Sequence, residues 1–460
     1  MADKVKVKNG RTVNMTDGPI LSTVLRFCIP LILGGLLQCT YSAADLMVVG
    51  KFASADELAA VGATTPVTGL TINLFIALSV GSSILLARAF GAKDEVKIRR
   101  LVSTSYTFSL LLGVFIALIG QALAVPLLNL SGCPAEIMDG AVLYLRIIFL
   151  GAPAQLFYNF MCNVIRSDGD SKRPLFYLAV SGLLNVALNL VFVLAFEMGA
   201  GGVAAATVAS QYASAALLFI RLVRLDGAKH LFPFKFNINL KQLGRILRLG
   251  VPSAVSSSMY SIANFQIMSA INAYGAYATA GNAAATNIES FFTTMTATLT
   301  TATSAFVGQN IGAGNRERVS KSITTLYLFS IPFFGLIGLL APLFGKELLS
   351  LYLSEGSSAA AEFGMVRLWC VSAFLFLSAS MSINAGALQA FGYTTYSMLI
   401  SLICVCGFRT LWLMLVYPHF MTPLGLYICF TVSWVITCAV GTTTVCVLQK
   451  RFRKGTLRIG

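Results

Sequence analysis

The sequence predicts an all-α membrane protein with twelve transmembrane helices in two pseudo-symmetric six-helix lobes and both termini cytoplasmic. Three observations lead there: a low charge content, a succession of long apolar segments, and a register that repeats halfway along the chain. Of 460 residues, 57% are hydrophobic and 11% charged, and the mean hydropathy is +0.79. Soluble domains carry about 25% charged residues. So little charge excludes a soluble multidomain protein, a disordered chain and a nucleic-acid-binding module, whatever the net charge of +15.

A hydrocarbon layer about 30 Å thick is crossed by about 20 apolar helical residues. Twelve stretches meet that rule: 20–49, 58–87, 101–125, 141–165, 175–196, 202–222, 246–274, 278–307, 323–344, 363–389, 397–417 and 423–448. Alternating segments about ten residues long, the mark of a barrel, are absent. The first nineteen residues are polar and basic, and the run that follows lacks a cleavage site, so it is expected to stay as the first span. The expected parts are a tail at 1–19, an N-lobe at 20–222, a linker at 223–245, a C-lobe at 246–449 and a basic tail at 450–460.

Orientation follows from Lys and Arg, which stay cytoplasmic in short loops. With both termini inside, 28 of the 33 basic residues fall on the cytoplasmic side, Lys51 and Lys346 fall outside, and Arg146, Arg367 and Arg409 lie within spans. The halves also repeat. Pro30 matches Pro252 at an offset of 222, Gly91-Ala92 matches Gly312-Ala313 at 221, and the turn ending in Gly169 matches the one ending in Gly392 at 223. Six spans per half give both halves one orientation, a transporter architecture. Nine of the ten cysteines lie in apolar stretches and read as small core residues; Cys133 sits in a loop with no loop partner.

Asp45 is the sharpest chemical signal, because a carboxylate within a span costs about 2.5–3.5 kcal/mol on insertion scales. With Gln38, Tyr41 and Ser42 it forms one polar stripe, which reads as an ion or proton site. Asn185 and Asn189 share one helix face, as do Thr207 and Gln211; such side chains either bind a cation or join helices by hydrogen bonds. In the second half Glu289, beside Asn287 and ahead of the Thr-rich run 293–303, could titrate, pair with a cationic substrate or bond to a neighbouring helix. Arg146, Arg367 and Arg409 could receive an anionic head group, but are expected to snorkel, neutralise a carboxyl or cap a helix end. No phosphate-binding loop occurs, and His230 and His419 form no zinc pair, which excludes ATP-driven pumping and metalloprotease chemistry.

Taken together, Pro30 with Asp45, Gly91-Ala92-Lys93, the run from Arg166 to Pro174 and the run from Gly308 to Ala313 resemble the multidrug and toxic compound extrusion (MATE) family, within the multidrug/oligosaccharidyl-lipid/polysaccharide exporter superfamily. The resemblance implies a V-shaped pair of lobes that exports small organic cations in exchange for H+ or Na+ by alternating access. It implies a multi-pass protein of the cell membrane, in contact with membrane lipids, with no cofactor, no enzymatic activity, no nucleic acid and no required protein partner, acting as a monomer. Family members hold the cation on residues that match Asp45, Asn185 and Thr207, so Na+ would sit there. Asn189 stands where they carry an acid. Second-lobe acids of other members are replaced here by Tyr260 and Ser378, so that second ion site is expected to be absent. The alternative reading is a flippase for a lipid-linked anionic oligosaccharide.

Overall fold

The computed structural model describes residues 13–52, 54–232, 235–353 and 357–457. Tail residues 1–12 and 458–460 and the side chains of Ser42 and Lys51 lie outside the described residues. The described chain consists of helices and their connections, with no strand. The first half comprises α1 (Ile20–Phe52), α2 (Ala55–Gly91), α3 (Glu95–Leu130), α4 (Met138–Leu150), α5 (Ala152–Ser167), α6 (Lys172–Leu190) and α7 (Gly199–Val223). The second comprises α8 (Leu240–Asn272), α9 (Ala276–Gly312), α10 (Arg316–Leu343), α11 (Gly345–Ser350), α12 (Ser358–Cys370), α13 (Leu375–Ala390), α14 (Thr394–Ile400), α15 (Phe408–Leu411) and α16 (Pro423–Arg453).

Local chemistry starts these helices where the sequence changes character. Ser54 and Glu57 form a reciprocal capping box on α2, and Asp94, Asn239 and Thr422 cap α3, α8 and α16. Among the described residues nine helices are long and apolar enough to cross a membrane, or ten if α4 and α5, bent by 42° about Gly151, make one span. The long helices α8 and α9 fall below that apolarity because Ser, Thr and Asn interrupt them. A π-helical segment, Val191–Ala195, follows α6. Another, Trp412–Val416, holds the corresponding place in the second half.

The first helix of each half packs into the other half. Val24 and Phe27 of α1 sit in a core cluster with Phe306, Ile323 and Leu388. Their counterparts in the repeat, Ile246 and Leu249 of α8, sit in a cluster with Leu85, Phe160 and Leu218. Near those ends the halves meet backbone to backbone. A Cβ added at Gly91 would lie 1.9 Å from the Gln309 carbonyl oxygen, and one at Gly312 would lie 2.0 Å from that of Arg88. Hydrogen bonds cross the same seam: the Arg88 guanidinium donates to the Ala390 carbonyl at 2.8 and 3.1 Å, and the Gln309 amide donates to the Ser167 carbonyl at 2.6 Å.

A short segment ahead of α1 straps this end. The Val13 N–H donates to the Gly169 carbonyl at 3.1 Å. Met15 is fully buried. Its carbonyl accepts from Asn310 at 3.1 Å and from Arg318 at 3.0 Å, and Arg318 also donates to the carbonyls of Asp17 and Gly18 at 2.9 and 2.8 Å. Residues 13–18 therefore hold the α5–α6 turn of the first half to α9 and α10 of the second.

Candidate ion site and central cavity

Within the first half, α1, α6 and α7 bring four of the singled-out side chains together. The Asp45 carboxylate accepts from the Asn189 amide at 2.5 Å and from the Thr207 hydroxyl at 3.5 Å. Asn185 donates to Thr207 at 3.3 Å, and Asn189 also donates to the Asn185 carbonyl oxygen at 3.4 Å. The i, i+4 spacing of the asparagines puts both on the face of α6 that meets α1 and α7. Both are buried, while Asp45 and Thr207 are half-buried. Asn189 Oδ1 is buried without a hydrogen-bond partner, an acceptor left open beside a carboxylate. No basic side chain among the described residues forms an ion pair with Asp45.

Tyr41 belongs to the edge of this site. Its hydroxyl donates to the Ala179 carbonyl at 3.3 Å, and its ring lies flush on α6, where a Cβ at Gly182 would come within 1.8 Å of it. Gln38 is exposed and stands outside the network. Gln211 does not join it either; its carbonyl oxygen is buried without a partner.

The second half holds a different cluster. Glu289 and Arg367 form a buried ion pair at 2.7 Å with three guanidinium-to-carboxylate hydrogen bonds. The Asn282 carbonyl oxygen accepts from Arg367 at 2.7 Å and from the Tyr427 hydroxyl at 2.8 Å. Arg367 thus does not snorkel, and the Glu289 carboxylate is engaged by its guanidinium. The physical reason is helix proximity: a Cβ at Gly281 would lie 2.0 Å from the Ala360 carbonyl oxygen, so α9 and α12 run close enough for the pair to close two turns on. Asn287 is exposed and takes no part. In the sequence the signal for Asn282 is its place two helical turns before Glu289, hence on the same helix face; nothing local marks Tyr427.

Arg409 is 1% exposed. It caps no helix end and pairs with no carboxylate among the described residues. Its Nε donates to the Ser433 hydroxyl at 3.2 Å, its Nη1 donates to the Asn264 carbonyl oxygen at 3.1 Å, and its guanidinium lies 4.1 Å from the Phe430 ring centre. Arg367 lies 5.3 Å from the same ring. Both guanidinium groups, Glu289 and Tyr260 line a cavity of about 580 Å³ walled by residues of α2, α8, α9 and α12 to α16. Ser378 also lines it, with its hydroxyl 3.2 Å from that of Thr296.

A multi-pass helical protein built of two like halves, with a carboxylate network in one and a polar cavity in the other, belongs to the class of membrane transporters. The chain is a member of the MatE family, whose model matches it twice, over residues 30–191 and 252–415; the two matches begin at Pro30 and Pro252, the first pair of equivalent positions in the repeat. It is 31% identical over 395 residues to the probable multidrug resistance protein YoeA of Bacillus subtilis (strain 168), covering 83% of each chain. It is 28% identical over 399 residues to the probable multidrug resistance protein YpnP of the same organism, covering 85% of this chain and 87% of that one. Among solved structures, 97% of the chain superposes on all of a multidrug resistance MATE family transporter of the MOP superfamily in its outward-facing conformation, with a TM-score of 0.89 and 24% identity. The protein is thus a multi-pass protein of the cell membrane.

Proposed function

We propose that the protein is a secondary active antiporter that exports drug-like organic cations in exchange for H+ or Na+. The observation that carries this reading is Asp45. Of the two carboxylates set well inside long helices, Glu289 is neutralised by Arg367, whereas Asp45 has only amide and hydroxyl partners. A carboxylate kept in a lobe without a counter-ion is available to a mobile cation. The oxygens of Asp45, Asn185, Asn189 and Thr207 suit Na+, a hard cation. A half-turn of the Asn189 amide would point its unpartnered oxygen at the ion, or at a proton on Asp45. The multidrug resistance names of the relatives support a substrate range of drug-like compounds.

In this reading all twelve spans cross, with α8 and α9 as the two whose polar residues face the cavity rather than lipid, and both termini are cytoplasmic. The seam at Gly91 and Gly312 then closes the cytoplasmic side, and the cavity opens outward. Ion binding at Asp45 and substrate binding exclude one another, so the ion acts through its different affinity for inward and outward states. The test is efflux of a fluorescent organic cation from liposomes under an imposed H+ or Na+ gradient, with wild type and Asp45→Asn. Efflux driven by one gradient and lost in Asp45→Asn is expected. Efflux equal in both proteins would overturn the role of Asp45, and no efflux under either gradient would overturn antiport.

A further inference from the structure

We propose that the central cavity contains an anion-binding subsite at Arg409, which takes amphipathic organic anions: an aromatic body bearing one carboxylate or sulfonate. This goes beyond cation export by adding a second subsite of opposite polarity. Three charged side chains line the described wall of the cavity: Glu289, Arg367 and Arg409. The first two cancel in a closed ion pair, so one positive charge remains, and it is Arg409.

A lone guanidinium this deeply buried is costly unless something compensates it. Its described partners are a hydroxyl, an amide oxygen and the face of Phe430. Each is neutral. Nε and Nη1 are used, Nη2 has no partner among the described residues, and Arg409 lies on the cavity wall. Guanidinium nitrogens bind carboxylates and related oxyanions by charge-assisted hydrogen bonds. Phe430 and Trp434 supply flat apolar wall beside it. At about 580 Å³ the cavity has the size of a site for a drug-sized molecule. A cation placed there would meet net positive charge at low dielectric; a monoanion would make the cavity neutral.

The test uses two probes of one shape, 2-naphthoate and 2-naphthamide, titrated against the full-length protein in phosphatidylcholine nanodiscs and followed by quenching of tryptophan fluorescence. Wild type is expected to bind the carboxylate at least about tenfold more tightly than the amide. Arg409→Gln should bring the two affinities together, and Arg409→Lys should keep most of the preference. A preference that survives in Arg409→Gln overturns the proposal. Equal or tighter binding of the amide by wild type overturns it even if the Gln variant fails to fold. Binding is read without a gradient, so efflux lost with the preference intact would strike the antiport reading alone.

Discussion

Gly91→Ala should open the seam between the two halves. The added Cβ would stand 1.9 Å from the Gln309 carbonyl oxygen and 2.7 and 2.8 Å from its carbonyl carbon and Cα. All three are backbone atoms, so no rotamer change relieves the clash. Ordinary contact begins near 3.4 Å, so the ends of α2 and α9 must part by about 1.5 Å, which strains the Gln309–Ser167 hydrogen bond and the facing approach of Gly312 to Arg88. Overpacking of this kind costs about 1–3 kcal/mol; the roughly 1 kcal/mol that Ala gains over Gly in a helix is the same with the seam open or closed and does not offset it. The loss falls on the state in which the seam is closed. Hydrogen–deuterium exchange by mass spectrometry reads it directly: peptides covering residues 84–92 and 305–314 should exchange about 5- to 150-fold faster, the range that corresponds to 1–3 kcal/mol. Gly69→Ala, in the same helix with nothing within 4 Å of the new atom, should leave both peptides protected. Unchanged protection in Gly91→Ala, or the same loss in Gly69→Ala, would refute the reasoning.

Other variants address other parts of the molecule. Glu289→Gln leaves Arg367 buried without its counter-charge and should cost about 3–5 kcal/mol, while Glu289→Gln combined with Arg367→Met should recover most of it; a double variant that melts as low as the single one would contradict this. Arg318→Gln removes donors to three strap carbonyls, so amides 13–18 should lose exchange protection while the middle of α10 keeps its own. Asp168, in the turn after α5, bonds to Lys229, yet burial, the larger effect, holds its carboxyl above the ordinary value. A raised folded value means that the folded chain binds this proton more readily than the unfolded one. Its stabilising contribution is complete below the ordinary carboxylate range and is lost as pH rises through the folded value. Asp168→Asn should flatten that part of the melting-temperature profile; an unaltered slope would exclude the assignment.

Nine or ten of the expected spans were legible from composition, because a bilayer demands long apolar helices and little else. The repeat was legible because Pro30, Gly91 and Gly169 each sit where backbone geometry restricts the choice of side chain, so their equivalents keep a nearly constant interval. Asp45 stood out as a charge in an apolar helix, and the spacing of Asn185 and Asn189 indicated their common face. What a span alone conceals is its neighbour. Glu289 and Arg367 lie 78 residues apart, and only the close approach of α9 and α12 at Gly281 makes them partners. Arg409 was visible as a cation in a span, but that no acid among the described residues pairs with it depends on what α8 and α16 bring beside it. The polar character of α8 and α9, which lowers their apolarity as spans, is the same feature that lines the cavity.

The strap also has a consequence for the order of synthesis. Residues 13–18 are made well before their partners in the second half, since Arg318 follows Met15 by 303 positions. Gly169 is made midway, so Val13 can dock on the first half well before Asn310 and Arg318 exist. During translation the strap is therefore anchored at one end, and its other end is fastened only after α9 and the start of α10 have been made. Joining the two halves is a late event by construction, and a ribosome stalled before residue 310 should carry a first half whose N-terminal segment is still open to protease.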